Sequence, residues 1–144
     1  MKMLDCYLSL AKLLRFKEVS DADGNVYVLF ENSDICHVEH SIEDKTAFEA
    51  VENHCHLIDH LSSNDFSRII DAAMLLGKIL YWSLKSAYSE KRFVVFVTAD
   101  LGDSLTIRFH QQWEGEDPYY SVKGWDPTQT LVIQVDETGS YDNT

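Results

Sequence analysis

Proline is nearly missing from this chain of 144 residues, with two in all, and glycine is sparse at six. Those counts exclude collagen-like and linker-rich organisation. Cysteine is scarce as well: Cys6, Cys36 and Cys55 are an odd set with no C-x-x-C spacing. That is the usage of a reducing compartment, so the chain is expected in the cytoplasm. No apolar run approaches the roughly 20 residues that cross a bilayer, and Asp5 and Lys12 interrupt any leader-like core near the start. Positive charge is the most telling shortage. Twelve Lys and Arg face 24 Asp and Glu, a formal net charge of −12. A field of that sign repels nucleic-acid phosphates and anionic lipid, and it attracts basic partners.

What is present is ordinary globular material, 45% hydrophobic and 25% charged. It fits one domain spanning residues 1–144, since a domain takes roughly 100–200 residues. Residues 3–16 carry Leu4, Tyr7, Leu8, Ala11 and Leu14 on one helical stripe. Asp21-Ala22-Asp23-Gly24-Asn25 is a turn by composition, and the strand Val26–Phe30 after it pairs back onto residues 16–20. Counted as a calcium loop from Asp21, Gly24 is fourth rather than sixth and the twelfth residue is Asn32, so that reading fails. Ser41–Asp44 resembles a capping box opening a helix with Phe48, Val51, Cys55, Ile58 and Leu61 at helical spacing. A third helix over about 65–88 is the most apolar, and Gly77 within it implies a close crossing, because glycine costs about 1 kcal/mol against alanine there. From Arg92 the period becomes two: Phe93–Thr98, a turn at Leu101–Asp103, Leu105–Phe109, and last Thr130–Val135. The expected fold is therefore α+β, with three helices, mostly N-terminal, packed on a C-terminal antiparallel sheet of three to five strands. Residues 139–144 are polar and expected to fray.

Charge is concentrated. Residues 41–63 carry five acids against one lysine, and residues 93–144 carry nine acids against two basic residues. Two candidate surfaces follow. One is the second helix, with Glu43, Asp44, Glu49 and Glu52. The other lies between the last two strands, where Glu114, Glu116, Asp117, Tyr119, Tyr120 and Trp125 mix carboxylates with aromatics. Aromatics bring contact area at low entropy cost and carboxylates bring steering, a combination suited to a basic protein partner. The plainer reading is that Trp113 and Trp125 cap the sheet edge while the acids keep the loop soluble. On a continuous helix Glu52, His56 and His60 would share a face and could hold zinc, but a solvated polar face accounts for them more simply. No nucleotide-binding glycine pattern and no nucleophile elbow occurs, so neither a cofactor nor a catalytic residue is implied.

The run Ser104–His110, then Trp113-Glu114-Gly115-Glu116 and the strand Leu131–Val135, resembles bacterial immunity proteins of contact-dependent growth inhibition and related polymorphic toxin systems. The pattern R-F-H-x-x-W-x-G-E carries the likeness, over the last third of the chain. The resemblance implies a non-enzymatic protein that binds one cognate toxin C-terminal domain, often a basic nuclease, and masks its active site. A different class stays open: a ligand-binding module or enzyme with a pocket lined by Tyr81, Trp82, Phe96, Phe109 and His110, although alternation with Phe109 points His110 outward. The apolar breadth of the third helix also leaves a homo-oligomer open.

Overall fold

The computed structural model describes residues 14–61 and 63–144. Most of the helix expected over residues 3–16 lies outside them, and Phe16 instead opens a strand. That strand, β1 (Phe16–Ser20), pairs antiparallel with β2 (Val26–Phe30), Phe16 opposite Phe30 and Ser20 opposite Val26. Asp21 builds the turn between them, its Oδ1 accepting from the backbone N–H groups of Asp23 and Asn25. Gly24 supplies a φ of 83°, a conformation that side-chain-bearing residues seldom adopt.

Next come α1 (Lys45–Glu52), β3 (His54–Ile58), α2 (Ser63–Ala87), β4 (Phe93–Asp100), β5 (Leu105–Gln111), a short 3₁₀ turn at Val122–Gly124, β6 (Thr130–Asp136) and β7 (Gly139–Asp142). Strands β3 to β7 form one antiparallel sheet in the order β3-β5-β4-β6-β7. The expectation of three helices on a sheet is overturned. Among the described residues there are two α-helices and seven strands in two antiparallel sheets, so the fold is dominated by sheet. The expected second helix is the main error. It stops after eight residues, and its supposed continuation is β3, where Cys55 and Leu57 turn inward while His54, His56 and Ile58 are exposed. The terminal residues expected to fray instead pair with β6 as β7, Tyr141 opposite Gln134 and Ser140 opposite Val135.

Both faces of the large sheet are covered, which is why Phe93–Thr98 reads as a continuous apolar run. On one face Val95, Val97, Ile107, Phe109, Ile133 and Val135 form the main core with Ala73, Leu80 and Leu84 of α2. Gly77 lets the helix approach: a Cβ there would lie 3.1 Å from Val135 Cγ2 and 3.4 Å from Val97 Cγ2. On the other face Val94, Phe96 and Val132 are covered by Tyr119, Tyr120 and Val122. The two sheets meet where Phe30 stands edge-on to Phe109, ring centroids 4.9 Å apart.

Candidate functional site

The N-terminal end of α1 and the turn after β5 come together. Asp44 caps the helix, accepting from the Ala47 N–H at 2.9 Å, as a short acidic side chain at that position can. The next free helical donor, the Thr46 N–H, is satisfied from elsewhere: it donates to Glu116 Oε1 at 2.7 Å. Lys45 Nζ lies 3.8 Å from Glu116 Oε2 and 5.7 Å from the Trp113 ring centre. Partial burial works against ionisation of Glu116, but the hydrogen bonds from Thr46 and Lys45 and the Lys45 charge outweigh it and hold the carboxyl below its usual range. Around this contact Glu43, Asp44, Glu114 and Asp117 are exposed. The two acidic stretches, separate in sequence, thus form one surface.

Not every expected acid belongs to it. Glu49 is wholly buried. Its carboxylate accepts from the Val28 N–H (2.9 Å), the Gln111 N–H (2.9 Å), Gln111 Nε2 (2.8 Å) and Trp113 Nε1 (2.6 Å). Burial outweighs these four donors and pushes its pKa up to about 7. As a partner-binding residue Glu49 is therefore ruled out; it ties α1, β2, β5 and Trp113 together beneath the surface. Glu52 sits half-buried at the far end of the eight-residue helix, about 11 Å from the N-terminal end.

The aromatic candidates divide similarly. Tyr119 and Tyr120 pack on the sheet, Tyr120 5.2 Å from Phe96 between ring centres, and the Arg108 guanidinium lies 5.1 Å and 5.3 Å from their rings. Trp125 stands edge-on to Tyr120 at 5.5 Å and is 38% exposed. Trp113 is no edge cap: it packs on Tyr27 at 5.2 Å beside Glu49.

The alternative pocket does not form. Phe109 belongs to the core under α2, whereas Phe96 and His110 stack on the opposite face of the sheet. Tyr81 is buried and Trp82 is exposed. The expected outward position of His110 is also reversed, because the segment after β5 folds back over it. His110 is 1% exposed; Nδ1 donates to the Gln111 carbonyl at 2.7 Å and Nε2 accepts the Tyr119 N–H at 3.1 Å. Burial lowers its pKa against the opposing pull of the Gln111 carbonyl, and the bond accepted from the Tyr119 N–H needs a ring unprotonated at Nε2.

The zinc reading loses its geometry with the helix. His56 is on β3, its Nδ1 3.2 Å from Thr106 Oγ1, and His60 lies past the strand. Among the described residues no three His, Cys, Asp or Glu side chains are gathered to hold a metal. No helix among them is long and apolar enough to cross a membrane.

Sequence reasoning missed Thr46, whose backbone joins the two acidic stretches, and Gln111 and Asn53, which work inside. Glu49, Glu52, Asn53 and His56 follow one another at the spacing of a solvated helix face, so no local signal marked two of them as buried.

No curated protein and no solved structure matches the chain. A family model does match, over residues 6–140, a span that takes in every element described above except the second half of β7. The chain belongs to the family described as Uncharacterized protein PM0498 family.

Proposed function

We propose that this chain is a cytoplasmic, non-enzymatic inhibitor of the immunity type, which neutralises a cationic toxin domain by laying an acidic surface over its active site. The supporting observation is the 2.7 Å hydrogen bond from the Thr46 N–H to Glu116, because it unites the two acidic stretches. Glu43, Asp44, Glu114 and Asp117 stand around it as exposed carboxylates. They would occupy the positions of nucleic-acid phosphates in a nuclease cleft and speed encounter, while Trp125 supplies desolvated contact that slows release. Glu116 acts within the chain, bracing the turn that carries its neighbours. The net charge of −12 favours a basic polypeptide and disfavours nucleic acid or anionic membrane as the direct partner.

The test takes a basic C-terminal domain of a secreted protein encoded beside this chain and measures its association with the purified chain by stopped flow. Replacing Glu43, Glu114 and Asp117 by their amides should slow association about tenfold or more at low salt and leave the fold intact. The wild-type rate should fall steeply as salt is raised. Association that ignores both changes, or turnover of a small metabolite by the purified chain alone, overturns the reading.

A further inference from the structure

Arg108 stands in the middle of β5, cross-strand from His54 of β3 and Phe96 of β4. Its neighbours Ile107 and Phe109 enter the core under α2, so Arg108 alternates onto the other face of the sheet. The guanidinium is held there from within the chain. Nη1 donates to the Ala50 carbonyl at 3.1 Å, in the last turn of α1, where the helix dipole favours a cation. The Tyr119 and Tyr120 rings, at 5.1 Å and 5.3 Å, are within cation–π range.

One edge of the group is left over. A guanidinium offers a side-on fork, Nε–H parallel to Nη2–H, that matches the two oxygens of a carboxylate. Nη1 lies outside that fork. Among the described residues Nε is buried without a hydrogen-bond partner, and Nη2, which is open to solvent, donates to no group. Nor does Arg108 belong to any ion pair among them. A buried donor without an acceptor is costly, and arginine cannot shed its charge to escape the cost. The chain carries 24 Asp and Glu, yet it brings none of those described to this fork.

We infer that the Nε/Nη2 edge of Arg108 is a binding site for a carboxylate supplied from outside the chain. One carboxylate oxygen accepts from Nη2 and the other from Nε, and the Ala50 carbonyl and the tyrosine rings hold the fork in place for them. A singly charged carboxylate suits the site better than a phosphate dianion or a nucleic-acid strand, because the net charge of −12 repels a polyanion more strongly. The site goes beyond the inhibitor reading and does not rest on it: the acidic surface gathers at the N-terminal end of α1, whereas Arg108 meets the last turn.

The probe is sodium acetate, titrated into the isotope-labelled full chain with sodium chloride keeping the ionic strength constant. The Arg108 Nε–Hε resonance should shift saturably, half-way at about 10–100 mM. Arg108→Lys keeps the charge without the fork and should weaken binding about tenfold, read from the backbone amides of His54 and Tyr119. The wild-type titration stands even if that variant folds poorly. A resonance that moves no differently in acetate than in chloride means that water serves the edge, and overturns the inference. Tighter binding of phosphate than of acetate overturns it too. Acetyl-Ala-Glu-Ala-amide and its Gln counterpart identify the source. A Glu peptide that outbinds acetate assigns the site to a protein side chain, and one that merely equals acetate assigns it to a free small acid; equal binding of the Glu and Gln peptides counts against any carboxylate.

Discussion

Glu49 and Asn53, four residues apart at the end of α1, together act on β2 as a neighbouring strand would. Glu49 accepts the Val28 N–H; Asn53 donates from Nδ2 to the Val28 carbonyl at 2.8 Å and accepts the Phe30 N–H at 3.0 Å. Gln111 Nε2 adds a bond to the Val26 carbonyl at 3.0 Å. Every second residue of β2 thus finds a side-chain partner on the edge that β1 does not cover. Buried backbone groups need such partners, and this arrangement is what attaches the small sheet to the large one.

Glu49 makes stability depend on pH with an uncommon sign. Its pKa rises from the usual 4.5 to about 7 on folding, so between those values the folded chain holds a proton that the unfolded chain has released. Stability is therefore fully present below about 4.5 and falls as pH rises toward 7, by about 3 kcal/mol in all. Urea unfolding at pH 5 and pH 8 should reveal this slope, and Glu49→Gln should flatten it. Asp21 works the other way: the Tyr27 hydroxyl is foremost in holding its pKa at about 2, so its contribution is present above the usual 3.8 and is lost as pH falls toward 2.

Asn53→Ala should leave the Phe30 N–H and the Val28 carbonyl buried without partners, at a cost of about 2–4 kcal/mol. Hydrogen exchange gives the local readout. The Phe30 amide should exchange faster relative to the β4 amides than it does in the wild type.

Trp113→Phe retains an aromatic ring against Tyr27 but removes the indole N–H that donates to Glu49. Loss of a hydrogen bond to a buried charged acceptor predicts about 1–3 kcal/mol of destabilisation. The Glu49 carboxyl should then titrate higher still, which carbon-detected NMR of that side chain would register.

Gly77→Ala sets helix propensity against packing. Alanine gains about 1 kcal/mol in a helix interior, but its Cβ would press on Val135 Cγ2 at 3.1 Å within the main core. Crowding of that kind costs about 1–3 kcal/mol, so the melting temperature should fall. Adding Val135→Ala makes room, and the double variant should be less destabilised than the two single losses combined.

Where local chemistry was decisive, the sequence was legible. The 16–30 hairpin with its Asp-Gly turn, the long apolar helix over about 65–88, the close approach at Gly77 and the strands from Phe93, Leu105 and Thr130 all occur within a few residues of their expected places. Residues 54–58 were misread because Val51, Cys55 and Ile58 satisfy a helical period while Cys55 and Leu57 satisfy a strand period; β5 offered an open edge, and pairing with it settled the choice. β7 is too polar to announce itself and exists because β6 lies beside it.

The candidate surface divides in the same way. By itself the amino-acid order determined that the chain is strongly acidic, that its acids gather in two stretches, and that aromatics accompany the second. Only tertiary structure decided that those stretches touch, that Glu49 and His110 are buried, and that Trp82 is exposed. The physical reason is range. Turn residues, propensity and periodicity act over a few neighbours, whereas a carboxylate is buried or exposed according to donors brought from far along the chain, here Val28, Gln111 and Trp113.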